Sequence, residues 1–186
     1  MNTAAPIFAA IVFSFTLTGA ICDVRTRKLP NWLTVSAFFA GMVFQAVVGF
    51  LADGWSGLGH QLLFALVGFA TGFGILFVMW LIGGSGAGDV KMMGAVGAWL
   101  GAKQTFFVFL FSALIVAFAT LAIMTSQFVK RGLVATRRRY LSRHEFNTEA
   151  QRLADSGRRR IMPYGVPLAL STWSIVAVNL WRQWNH

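Results

Sequence analysis

Gly83-Gly84-Ser85-Gly86-Ala87-Gly88-Asp89-Val90-Lys91 is the stretch that decides the fold. It follows one apolar run and opens another, so it lies at or within a membrane. Four of its first six residues are glycine. Each glycine costs about 1 kcal/mol relative to alanine inside a helix, so the run cannot extend a good helix. Irregular backbone at membrane depth is tolerated only where protein buries it or it lines a water-filled cavity. Asp89 ends the glycine run, and a carboxylate at the centre of a membrane helix costs about 2.5–3.5 kcal/mol. A broken segment carrying an acid therefore marks a functional site. The plainer reading is a Gly-rich loop whose Asp89 caps the next helix, and this stretch alone leaves that open.

Composition agrees with a membrane setting. The chain of 186 residues is 56% hydrophobic and 12% charged, against about 25% charged in soluble domains. Several apolar runs approach or exceed the length of a membrane span. The expected class is all-α, a polytopic membrane protein with about six transmembrane helices and a Gly-broken entry to the fourth. The net charge of +10 would suggest nucleic acid for a soluble chain. Here most of it lies in loops beside spans, where it reports orientation. We expect no nucleic-acid partner. Cys22 is the single cysteine, and His60, His144 and His186 show no ligand spacing, so no metal site and no cofactor are expected. No Lys or Arg precedes the first apolar run, which argues against a signal peptide.

Taken in order, span one covers roughly Ala4 to Ile21 and ends in a short basic turn, Cys22 to Asn31. Pro30 forbids an unbroken helix through that turn. Span two is Trp32 to Ala52, followed by a turn at Asp53-Gly54-Trp55-Ser56-Gly57. Span three runs from Leu58 to Ile82. Lys91 to Leu100 is short and rich in small residues, which suits close helix contact. Gly101 and Lys103 mark a turn, span five is Gln104 to Phe128, and the last span is Tyr164 to Trp181.

A basic loop at about 129–162 separates the last two spans. Ser142-Arg143-His144-Glu145 has the form of a capping box. It predicts one short amphipathic helix lying on the membrane surface, anchored by lipid; a binding surface for a partner or nucleic acid is the alternative. If six spans start outside, the inner loops 23–31, 83–91 and 129–162 hold 14 of the 16 Lys and Arg residues. The positive-inside rule then puts both termini outside. The expectation is a single integral-membrane domain, 1–186, with the loop at 129–162 in the cytoplasm.

Of the six acidic residues, Glu145, Glu149 and Asp155 fall in that loop and Asp53 in an outer turn. Asp23 and Asp89 both fall at the cytoplasmic ends of spans. Two carboxylates around one water are the machinery of aspartic proteolysis: one takes a proton from water, and the other donates a hydrogen bond to the scissile carbonyl. Like charges in close contact cannot both ionise easily, so such a pair holds one proton. The structural alternative pairs Asp23 with Arg25 or Arg27, and Asp89 with Lys91.

Three segments carry a family resemblance. Asp23-Val24-Arg25-Thr26-Arg27-Lys28-Leu29-Pro30-Asn31 resembles the first aspartate motif of type IV prepilin peptidases. Gly86-Ala87-Gly88-Asp89-Val90-Lys91 resembles their GxGD motif with its following lysine. Pro163-Tyr164-Gly165-Val166-Pro167 resembles the Pro-x-Gly segment that opens their last span. The order and the span count match. The resemblance implies an aspartic endopeptidase of the inner membrane that cuts the basic leader from prepilins or pseudopilins at the cytoplasmic face. It makes Asp23 and Asp89 the catalytic pair. Gly86, Gly88, Lys91, Pro30, Asn31, Pro163 and Gly165 become supporting or substrate-binding residues. Larger members carry paired CxxC motifs associated with methylating the new N-terminus. The single cysteine here implies cleavage without methyl transfer, as in the stand-alone peptidases of Flp-type, tight-adherence pilus systems. Membrane lipid, pilus-assembly components and a second copy of the chain are the further partners considered. The rival readings are a small ion-coupled transporter, which would also use a broken helix and an acid, and a membrane scaffold built on GxxxG spacing at Gly68/Gly72, Gly84/Gly88 and Gly97/Gly101.

Overall fold

Pro30 has no amide proton and its ring clashes with a continuing helix, so the chain breaks there and restarts. The computed structural model describes residues 4–26, 29–82, 86–138 and 164–184. Among them run four helices and no strand: α1 (Ala4–Thr26), α2 (Asn31–Leu81), α3 (Ala87–Arg138) and α4 (Gly165–Trp184). Pro30 stands at the N-cap of α2 with extended backbone, φ −67° and ψ 131°. Helix α1 runs past the predicted end at Ile21, because nothing between Cys22 and Thr26 breaks a helix. Asp23 is therefore on a helix and not in a turn.

Three of the helices, α1, α2 and α3, are long and apolar enough to cross a membrane. Two of these are bent. In α2 the backbone leaves helical values at Asp53 and Gly54, with Gly54 at φ 55°. The five-residue turn predicted at 53–57 is thus a two-residue break. The chain doubles back at this point, since Gly49 lies against the Gly57 carbonyl, whereas eight residues of straight helix would separate them by about 12 Å. In α3 the break is Gly101, at φ 76° and ψ 169°. Gly72 faces both Met93 and Thr105, so α3 doubles back as well. The result is six helical segments, 4–26, 31–52, 55–81, 87–100, 102–138 and 165–184, in register with the six spans read from the sequence. The fifth continues to Arg138, ten residues beyond the predicted Phe128, so the loop at 129–162 begins as helix. The amphipathic helix expected to start at Ser142 lies outside the described residues.

Segment 87–100 rises only about 21 Å, short of the ~30 Å hydrocarbon core. It is buried nearly all round: Val90, Met92, Met93, Ala95, Val96, Ala98, Trp99 and Leu100 are at most 3% exposed. A helix apolar on every face belongs in the middle of a bundle. Protein surrounds this one, so it has no need to span lipid by itself. Small residues admit its neighbours. Gly68 meets the Gly97 carbonyl, and Gly94 lies against the Phe69 ring. Trp99 Nε1 donates to the Ala37 carbonyl at 2.8 Å, and Gln45 Nε2 donates to the Trp99 carbonyl at 3.0 Å. The glycine pairs that suggested a scaffold are thus used within the chain, Gly68 against Gly97 and Gly72 against Met93. Outward-facing Phe39, Val43, Val47 and Leu63 are exposed, as lipid-facing positions should be.

Candidate active site

The central segment begins at the glycine run. Ala87, Gly88 and Asp89 are already helical, so the break predicted across the whole stretch ends earlier, at Gly86. Asp89 Oδ2 accepts the Gly86 amide at 3.1 Å, and the Asp89 amide donates to the Gly86 carbonyl at 3.0 Å. Asp89 is the third residue of its helix and reaches back to the amide before it, half of a capping box. The capping reading of Asp89 is therefore part of the truth. It does not account for the burial: Asp89 is 4% exposed and Asp23 7%. Buried carboxylates are costly unless they are hydrogen-bonded or share their charge. The third acid among the described residues, Asp53, is exposed at the opposite end.

Asp23 is anchored by α4. Its Oδ2 accepts the Gly165 amide at 2.7 Å. That amide opens α4 and has no partner within its own helix, so the carboxylate satisfies it at the positive end of the helix dipole. Gly165 leaves little room for a side chain, since an added methyl would stand 3.0 Å from Asp23 Oδ2. The preceding residue is Tyr164. Its hydroxyl is hydrogen-bonded to Ser112 Oγ at 2.8 Å. The start of α4 is thus held by Asp23 from α1 and by Ser112 from α3.

Further contacts hold the same three helix ends together. Leu29, in the turn between α1 and α2, packs on Gly88, 3.2 Å from where a Cβ would lie. Gly19, one turn before Asp23, faces Met92, one turn after Asp89. Lys91 Nζ donates to Asn31 Oδ1 at 2.9 Å, which joins the first and second motifs directly. Deeper in the bundle, Trp173 Nε1 donates to Thr16 Oγ1 at 2.8 Å and ties α4 to α1.

The comparisons with known proteins bear on this arrangement. The model of the type IV leader peptidase family matches residues 10–121, more than half of the chain and both aspartates. The chain belongs to the type IV leader peptidase family. Relatives named prepilin leader peptidase/N-methyltransferase include one from Escherichia coli (strain K12), 35% identical over 98 residues, 49% of this chain and 40% of the relative. Another, from Bacillus subtilis (strain 168), is 33% identical over 129 residues, 67% of this chain and 48% of the relative. The chain spans less than half the length of either. No solved structure matches it.

Of the residues singled out from the family motifs, Asp23, Asp89, Gly86, Gly88, Pro30, Asn31, Lys91 and Gly165 all lie at one end of the bundle. Pro163 lies outside the described residues. Sequence reasoning missed Ser112, Leu29 and Met92. Ser112 left one signal, a hydroxyl within an apolar run of Phe, Leu, Val and Ala. Leu29 stood in the first motif as the apolar residue before Pro30, without a sign of what it packs on, and Met92 left no signal, because an apolar residue beside an apolar span looks like any other.

Proposed function

We propose that this chain is an aspartic endopeptidase of the plasma membrane that removes the basic leader from prepilins or pseudopilins of the Flp type, with Asp23 and Asp89 as its catalytic pair. The observation that supports this most is that both acids are buried at one end of the bundle, each accepting a backbone amide at a helix start, Asp23 that of Gly165 and Asp89 that of Gly86. In the reaction, one carboxylate of the pair takes a proton from a water as its oxygen adds to the scissile carbonyl carbon. The other, protonated, hydrogen-bonds the carbonyl oxygen and stabilises the charge that develops there. When the tetrahedral intermediate collapses, the C–N bond breaks and the leaving amine takes a proton from the pair. Asp23 Oδ2 is occupied by the Gly165 amide, which leaves Oδ1 for the water. The Gly86 amide and the helix start orient Asp89 in the same way. Leu29 on Gly88 and Lys91 on Asn31 tie the start of α3 to the turn between α1 and α2 and to the first residue of α2.

The charge distribution favours both termini outside and the aspartates at the cytoplasmic face, where a basic leader would lie. The loop at 129–162 is the cytoplasmic extension of the one domain, and its Arg and Lys residues suit anionic lipid. Cleavage proceeds without methyl transfer, because Cys22 is the single cysteine and cannot form paired motifs. The test is to reconstitute the chain in proteoliposomes with a Flp-type prepilin and S-adenosylmethionine, and to weigh the product. A product shortened by the leader and unmethylated is expected. Intact prepilin would overturn the peptidase reading, and a product heavier by one methyl group would overturn the second part.

A further inference from the structure

A cavity of about 460 Å³ opens at the end of the bundle opposite the aspartates. Phe8 lines it, and Phe8 stands about 22 Å along α1 from Asp23. Its floor is aromatic. The rings of Phe8, Phe44 and Trp99 form one cluster, with centroids 5.8, 5.7 and 5.3 Å apart. Its rim is polar, with the carboxamides of Gln61, Gln104 and Asn179 and the guanidinium of Arg182. No Asp or Glu lines it. Nothing in the proteolytic reading uses these groups.

Gln45 adds a second feature. It is 7% exposed, and its Nε2 is spent on the Trp99 carbonyl. Its oxygen has no partner among the described residues. Every fully buried side-chain nitrogen or oxygen there is hydrogen-bonded, so this oxygen is reachable from the cavity that Gln45 lines. It is an acceptor awaiting a donor. The depth is also marked: Trp55, Trp181 and Trp184 are exposed at the same end, and tryptophan concentrates at the headgroup level of a bilayer.

We infer that this cavity binds the headgroup of a phosphate-bearing amphiphile, an anionic phospholipid, with its first methylenes on the aromatic floor. A guanidinium pairs with phosphate oxygens through two parallel hydrogen bonds. Carboxamide N–H groups add donors, and no carboxylate repels the anion. Gln45 Oε1 accepts a headgroup hydroxyl. The volume lies within the ~300–1,000 Å³ range of ligand pockets and suits a headgroup with the head of its chains. Inorganic phosphate would gain only the rim, and a zwitterionic lipid would bring a cation towards Arg182.

The test uses the full chain purified in detergent, with lipid retention read by native mass spectrometry. Dioleoylphosphatidylglycerol, dioleoylphosphatidylcholine and inorganic phosphate are titrated separately. One phosphatidylglycerol per chain, held at least tenfold more tightly than phosphatidylcholine, is expected. Arg182→Gln should weaken it at least tenfold at an unchanged melting temperature, and Arg182→Lys should lose less. Equal retention of the two lipids, or phosphatidylglycerol binding unaltered by Arg182→Gln, would overturn the inference. Inorganic phosphate binding as tightly as phosphatidylglycerol would overturn the amphiphile and leave a small-anion site.

Discussion

Gly165→Ala probes the seat of Asp23 against α4. The added methyl would stand 3.0 Å from Asp23 Cβ and 3.0 Å from Asp23 Oδ2. Carbon–carbon contacts are most favourable at ~3.5–4.0 Å, so the Asp23 side chain must retreat by roughly half an ångström. A misplacement of ~1 Å at a reacting centre costs about a hundredfold in rate. Half of that predicts a loss of about tenfold, or ~1.4 kcal/mol of barrier. Stability should change by a comparable amount, so turnover is read per folded molecule. Overpacking costs about 1–3 kcal/mol, offset by up to ~1 kcal/mol of helix propensity. Gly74→Ala is the control, since its Cβ would meet nothing within 4 Å; it should gain up to ~1 kcal/mol and leave turnover alone. The assay is initial-rate cleavage of a prepilin in proteoliposomes, with a melting curve for each variant. Wild-type turnover in Gly165→Ala would refute the reasoning, because it would mean that the position of Asp23 against the α4 amide is irrelevant to the chemistry.

Other substitutions probe the frame around the site. Gly54→Ala should cost about 1–2 kcal/mol through backbone alone, because φ is 55° and no atom lies within 4 Å; a melting curve should show this, with cleavage per folded molecule unchanged. Lys91→Met and Asn31→Ala should each slow cleavage modestly and cost less than ~1 kcal/mol of stability, since their hydrogen bond is exposed. Combining the two should add little in a double-mutant cycle, as they remove one interaction. Trp99→Phe removes the indole donor to Ala37 and leaves a void in the central segment; a loss of about 2–4 kcal/mol is expected by calorimetry or denaturant titration.

Much of the bundle was legible because the membrane makes residue patterns strict. Pro30 and Gly101 break helices by backbone chemistry, so both breaks fall within the turns read at 22–31 and 101–103. The predicted turn at 53–57 was too long because Ser56 and Gly57 look like loop residues, yet Gly57 is needed inside a helix to admit Gly49. The ends of α1 and α3 were placed too early for a related reason: hydropathy marks where the bilayer ends, not where the helix ends, and Cys22–Thr26 and 129–138 carry polar residues while remaining helical. Both aspartates were visible as acids at one membrane level. What joins them was not. The Gly165 amide on Asp23, and Ser112 beneath Tyr164, depend on helices more than fifty residues apart in the chain meeting at one end. No local pattern encodes such a meeting, and only the motif order hinted at it.

The central claim is that Asp23 and Asp89 act on one water, and paired asparagine substitutions test it most directly. Asparagine at 89 can still accept the Gly86 amide and asparagine at 23 the Gly165 amide, so the helix starts should survive. Loss of an acid or base that moves a proton in the transition state costs about 10²–10⁴-fold. Leader cleavage should therefore fall by at least about a hundredfold in Asp23→Asn and in Asp89→Asn, at equal protein level in the membrane and unchanged melting temperature. Cleavage at the wild-type rate in either variant would remove that aspartate from the chemistry and contradict the account.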